Sequence, residues 1–80
     1  MDLNDKSILI TGGTGSFGRK FTEVVLSRYQ PRRLIIFSRD ELKQSEMARE
    51  LTGTCVRYFI GDIRDSDRLR RALQGVDVVV

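Results

Sequence analysis

The chain is 80 residues long, 40% hydrophobic and 31% charged, and its 14 lysines and arginines against 11 acids leave a formal charge of +3. That balance excludes a disordered or low-complexity segment, and no apolar run approaches the length of a membrane span, so a soluble cytoplasmic domain, or part of one, is expected. The basic residues are interleaved with acids, as in Arg64-Asp65-Ser66-Asp67-Arg68, which reads as a solvated face and excludes a nucleic-acid platform.

Four apolar, β-branched runs alternate with three helical patterns, the signature of parallel βαβ units. The first run, Ser7 to Thr11, leads into Thr11-Gly12-Gly13-Thr14-Gly15-Ser16-Phe17-Gly18 and then into a helical pattern over Ser16 to Tyr29 carried by Phe17, Phe21, Val24 and Val25. Strand, glycine turn and helix in succession hold a dinucleotide pyrophosphate against a helix N-terminus. Gly12 permits the tight turn, Gly15 lets backbone approach the phosphates, and Gly18 allows close packing of the helix. Gly12, Thr14, Gly15, Ser16, Phe17 and Gly18 are therefore candidate cofactor contacts. The alternative is a glycine turn that binds nothing.

Gln30-Pro31 stops the first helix, because the residue before proline avoids helical angles. A second strand over Arg33 to Ser38 is followed by a helix over Glu41 to Leu51, and a third strand over Cys55 to Ile60 by a helix over Asp65 to Leu73, with Leu69, Ala72 and Leu73 on one face. Gly53 and Gly75 are candidate C-terminal caps of these helices. Cys55, which has no second cysteine to pair with, reads as a small hydrophobe, and Val76 to Val80 as a fourth strand. Right-handed crossovers predict a doubly wound Rossmann-type sheet of order 3-2-1-4, with the first two helices on one face and the third on the other. The exposed fourth strand and thinly covered second face give the expectation that residues 1–80 are the first half of a longer cofactor-binding domain.

The end of the second strand meets the adenosine ribose in such folds. An acid there would hold a free 2′-hydroxyl and repel a 2′-phosphate. Here stand Ser38 and Arg39, able to hydrogen-bond and pair with a phosphate, with Lys43 one turn on, so NADP is expected in preference to NAD. Asp40 and Glu41 keep NAD open. Ser38-Arg39-Asp40-Glu41 also fits the S-x-x-E capping box, with Ser38 as helix cap. After the third strand, Asp62 is placed to accept from an adenine amino group and the Ile63 amide to pair with a ring nitrogen; equally, Asp62 makes a turn before Asp65 caps the third helix. No metal site is expected.

Together, the TGGTGSFG, SRDE and GDIRD stretches resemble an extended short-chain dehydrogenase/reductase, and Ile36 through Gln44 more narrowly resembles the UDP-N-acetylglucosamine 4,6-dehydratases, including those of pseudaminic acid synthesis, and related polysaccharide biosynthesis proteins. The resemblance implies a lyase reaction in which NADP takes hydride from C4 of a UDP-sugar, water leaves across C5 and C6, and hydride returns to C6. It also implies a soluble homo-oligomer. The family's catalytic Y-x-x-x-K pair has no counterpart here: Tyr29 has Arg33 at that spacing and Tyr58 has Asp62, so no catalytic residue is assigned to this chain. A non-catalytic NADP-binding or redox-sensing module, and another extended reductase such as a nucleotide-sugar epimerase, are the competing readings.

Overall fold

A computed structural model of the chain describes residues 2–51 and 55–80. It contains β1 (Ser7–Thr11), α1 (Ser16–Arg28), β2 (Arg33–Ser38), α2 (Glu41–Glu50), β3 (Val56–Ile60), α3 (Ser66–Ala72) and β4 (Val78–Val79). The strands form one parallel sheet in the order β3-β2-β1-β4, the α/β topology expected.

The two central strands are apolar on both faces because helices cover both. Pairing Ile8 with Leu34 and Ile10 with Ile36 sets one register for β1 and β2. Alternation then sends Ile8, Ile10, Leu34, Ile36 and Val56 to the face covered by Val25 of α1 and Met47 of α2. Leu9, Ile35 and Phe37 go to the other face, under Ala72 and Leu69 of α3. Two helices on one side and one on the other follow from right-handed crossovers that change direction after β3.

Several local expectations are corrected. The buried face of α1 is Gly18, Thr22 and Val25, whereas Phe17 is 69% exposed and Val24 lies at the surface. The cause is Gly18: a Cβ there would lie 2.5 Å from Gly13 Cα, so the helix is pressed against the turn along the glycine side and the neighbouring Phe17 is rotated outward. Helix α2 is capped by Asp40, whose Oδ1 accepts from the Lys43 amide at 3.0 Å, and not by a Ser38–Glu41 box. Ser38 stays in β2 because its carbonyl takes the Gly61 amide at 3.0 Å and its hydroxyl is engaged by Gln44.

Asp65 caps α3 as expected, accepting from the Arg68 amide at 3.2 Å. Leu73, by contrast, lies partly exposed just beyond the helix, and Gly75 follows with a left-handed φ of 73°. The expected cap at Gly53 lies outside the described residues. Strand β4 is shorter than the apolar run, because the Val76 amide closes a turn on the Leu73 carbonyl. Asp77 then donates its amide to Ser7 and accepts the Ser7 amide on Oδ2 at 2.8 Å, a side chain standing in for a ladder carbonyl. Strand β3 likewise starts at Val56, with Cys55 partly buried against the core ahead of it.

At the β3 border of the sheet, two guanidinium groups hold backbone carbonyls. Arg57 Nη1 donates to Val56 O at 3.1 Å and Arg68 Nε to Ile60 O at 2.7 Å. Arg68 also lies 4.3 Å over the Phe59 ring, which stacks on Phe37. Among the described residues, the Tyr58 hydroxyl is buried without a hydrogen-bond partner, and burial raises its pKa while nearby Arg19 draws it back. Arg19 itself pairs with Glu50, linking α1 to the end of α2.

Candidate functional site

The loops after β1, β2 and β3 leave the sheet at the same edge and enclose a cleft of about 950 Å³. Its first wall is the glycine turn. Gly12 has φ +62°, a left-handed angle that side chains disfavour, and its carbonyl accepts the Gly15 amide at 3.0 Å. Gly13 sits on β2, where a Cβ would meet Ile36 Cγ2 at 2.7 Å. Packing thus accounts for Gly13 and Gly18 and backbone angle for Gly12, but neither accounts for Gly15. Its missing Cβ would meet only Gly12 O, at an ordinary 3.4 Å, on a residue that lines the cleft.

Gly15 is also the N-cap of α1, with no side-chain cap and no acid in the first turn. The opening amides of an α-helix have no intrahelical acceptor and carry partial positive charge. In α2 and α3 an aspartate accepts one of them, Asp40 and Asp65 respectively. The first turn of α1 lacks such a group, so its electrostatics favour an external anion.

The second wall is the β2 end: Ser38, Arg39 and Lys43, with Asp40 and Glu41 beside them. Ser38 is 7% exposed, whereas the Arg39 side chain is 71% exposed and reaches toward Asp62. The third wall is Gly61, Asp62, Ile63 and Arg64. Asp62 Oδ1 accepts the Arg64 amide at 2.9 Å and Oδ2 accepts Arg64 Nη2 at 2.8 Å, with Arg39 Nη1 at 3.4 Å. The Arg64 hydrogen bonds, side chain first, hold this carboxyl far below the usual carboxylate range.

Of the sequence candidates, Gly12, Thr14, Gly15, Ser38, Arg39, Lys43, Asp62 and Ile63 line the one cleft. Ser16, Phe17 and Gly18 stand beside it in the first turn of α1; Gly18 is buried and the Phe17 ring stacks on Phe21 at 5.8 Å. Arg64 was not anticipated. Its signal is the Asp-x-Arg spacing after β3, which lets Asp62 accept its amide two residues on and its guanidinium as well. The fit to a dinucleotide rests on two observations, the uncapped α1 terminus and the side-chain-free approach at Gly15.

A family model described as polysaccharide biosynthesis protein matches residues 8–80. The chain belongs to this family. The UDP-N-acetylglucosamine 4,6-dehydratase (inverting) of Campylobacter jejuni is 58% identical over 78 residues, covering 98% of this chain and 23% of that protein. A UDP-glucose 4-epimerase of Rickettsia bellii is 44% identical over 82 residues, covering 94% of this chain and 23% of that protein. Among solved structures, Pen from Bacillus thuringiensis superposes with a TM-score of 0.91 at 39% identity, over 99% of this chain and 24% of that one. The chain thus spans about a quarter of the length of the curated relatives it matches. As in the family's extended short-chain dehydrogenase/reductase fold, the matched region runs from β1 through β4. No helix among the described residues is long and apolar enough to cross a membrane.

Proposed function

We propose that this chain is the segment of a UDP-N-acetylglucosamine 4,6-dehydratase that binds the adenosine and pyrophosphate half of NADP. The observation that carries the reading is the uncapped α1 terminus facing the same cleft as Ser38, Arg39 and Lys43. The first-turn amides of Ser16, Phe17 and Gly18, together with Gly12, Thr14 and Gly15, receive the pyrophosphate. Ser38 donates to the 2′-phosphate, Arg39 pairs with its charge and covers the adenine, and Lys43 adds a second cation. Asp62 accepts from the adenine amino group, and the Ile63 amide meets the ring.

NADP, when bound, supplies the hydride acceptor and donor of the reaction. The intact protein, a cytoplasmic homo-oligomer, is read as a lyase that oxidises a UDP-sugar at C4, eliminates water across C5 and C6, and reduces C6. The Campylobacter jejuni relative supports that assignment through its identity across nearly the whole chain. The Rickettsia bellii relative favours a second reading, epimerisation at C4 of a UDP-sugar.

Incubating the intact protein with UDP-N-acetylglucosamine and reading the product by mass spectrometry separates the two. A product lighter by one water is the expected result. A product of unchanged mass with an inverted C4 favours the epimerase. No turnover combined with tight NADP binding refutes both and supports a non-catalytic cofactor module.

A further inference from the structure

Gln44 of α2 is 4% exposed and is not part of the cleft lining, yet four backbone or side-chain oxygens surround its amide nitrogen. Nε2 lies 3.0 Å from Ser38 Oγ and 3.1 Å from Phe59 O, with Ser38 O at 3.4 Å and Ile36 O at 3.5 Å. Three of these oxygens are carbonyls, which can only accept. Turning the amide over would set its oxygen against them, so the surroundings fix the nitrogen inward. Two N–H groups serve the two shortest contacts.

An amide nitrogen cannot accept a hydrogen bond. In the Gln44–Ser38 pair the serine hydroxyl is therefore the acceptor, and its own hydrogen is left to point elsewhere. Among the described residues the Ser38 hydroxyl makes no other hydrogen bond, and Ser38 lines the cleft. We infer that Gln44 is a specificity-setting positioning residue: by donating to Ser38 Oγ it commits that hydroxyl as a donor into the cleft, which favours a cofactor carrying a 2′-phosphate. The inference rests on the cofactor reading above.

The chemistry makes the effect selective. A phosphate dianion has only acceptors, so it gains from a hydroxyl whose hydrogen is already directed at it. A ribose 2′-hydroxyl either donates or accepts and gains nothing from the commitment. Removing the Gln44 donor releases the serine hydroxyl from that commitment without removing any group that lines the cleft.

The test is the ratio of NADP+ to NAD+ affinity in the intact protein, by calorimetric titration of wild type, Gln44→Met, Ser38→Ala and the double variant. Methionine keeps length and packing but has no donor. Gln44→Met is expected to weaken NADP+ about five- to tenfold, the worth of one hydrogen bond, with NAD+ unchanged. In the Ser38→Ala background the same substitution should leave the ratio where it is, because the two residues act as one unit. An equal loss for both dinucleotides, or a ratio untouched by Gln44→Met, overturns the inference while leaving NADP binding in place. Wild-type protein that binds neither dinucleotide overturns the cofactor reading and this inference with it. Should Gln44→Met fail to fold, Ser38→Ala alone decides: it leaves Gln44 the Phe59 carbonyl, and an unchanged ratio refutes the argument.

Discussion

Gly15 and Gly18 occupy one motif but are glycine for different reasons, and alanine at each separates stability from binding. At Gly18 a Cβ would lie 2.5, 2.6 and 2.7 Å from the Gly13 Cα, O and C atoms, all backbone. Ordinary contact begins near 3.4 Å, so the helix or the turn must retreat by most of an ångström, while Gly13 is itself held by Ile36 Cγ2. Overpacking of this kind costs about 1–3 kcal/mol, and the helix-forming gain of alanine over glycine returns about 1 kcal/mol. The clash is backbone on backbone, so the upper part of that range applies and a net loss of about 2 kcal/mol is expected.

At Gly15 the backbone angles, φ −74° and ψ 175°, suit any residue, and the added methyl meets only Gly12 O at 3.4 Å. Gly15→Ala should therefore cost under about 1 kcal/mol, the difference between glycine and alanine as helix cap. On the proposed reading its methyl instead intrudes where phosphate would approach the first-turn amides, and losing one charge-assisted bond there is expected to weaken NADP+ by about ten- to a hundredfold. Urea unfolding at constant m gives the stability of each variant and dinucleotide titration gives the affinity. Equal destabilisation by the two alanines, or wild-type affinity in Gly15→Ala, would refute the assignment of Gly15 to ligand approach.

Arg39→Ala should lower NADP+ affinity well over tenfold and NAD+ affinity only about two- to fivefold, through the lost adenine contact, with the gap narrowing as salt rises, because an exposed guanidinium acts through a screened charge pair. The Asp62 carboxyl should titrate far below the usual carboxylate range in a carbon-detected NMR pH series, and Arg64→Ala should return it toward that range. A depressed folded pKa stabilises above the unfolded value and loses that contribution as pH falls through the folded one, so any Asp62-linked stability vanishes only in strong acid. Tyr58→Phe removes a buried hydroxyl that has no partner among the described residues, and urea unfolding should show it neutral or up to about 1 kcal/mol more stable.

The boundaries of β1 and β2 were legible because both are continuous apolar runs ending at a glycine turn or a polar loop, a pattern set by burial on two faces. The start of α2 at Glu41 was legible too, but its cap was not. Ser38 and Asp40 are both good caps two residues apart, and the arbiter is a long-range contact, the Gln44 amide, which holds Ser38 in the strand. Phe17 reads as core by periodicity, but the approach of Gly18 to Gly13 turns the helix so that the small residues face inward. Val76 reads as strand by composition and is drawn into a turn by a backbone bond that no propensity scale contains. The gathering of glycine turn, Ser38-Arg39 and Asp62 at one edge was legible because parallel strands place all their C-terminal loops on the same side. Arg64 escaped notice because its value lies in geometry relative to Asp62, not in its type.

The arginines along β3 have a consequence for the behaviour of the protein in concentrated solution. Along a parallel strand the carbonyls alternate in direction; Cys55 O takes the Leu34 amide from β2, so Val56 O and Ile60 O point away from the sheet. With Tyr58 O between them, these are the acceptors a foreign strand would use to add itself to the border, and Arg57 and Arg68 hold the outer two with charged donors. An incoming chain would have to displace two guanidinium groups and face their charge while doing so. Both ends of the β3 border are thus protected against amyloid-like strand addition by charged side chains from β3 itself and from α3.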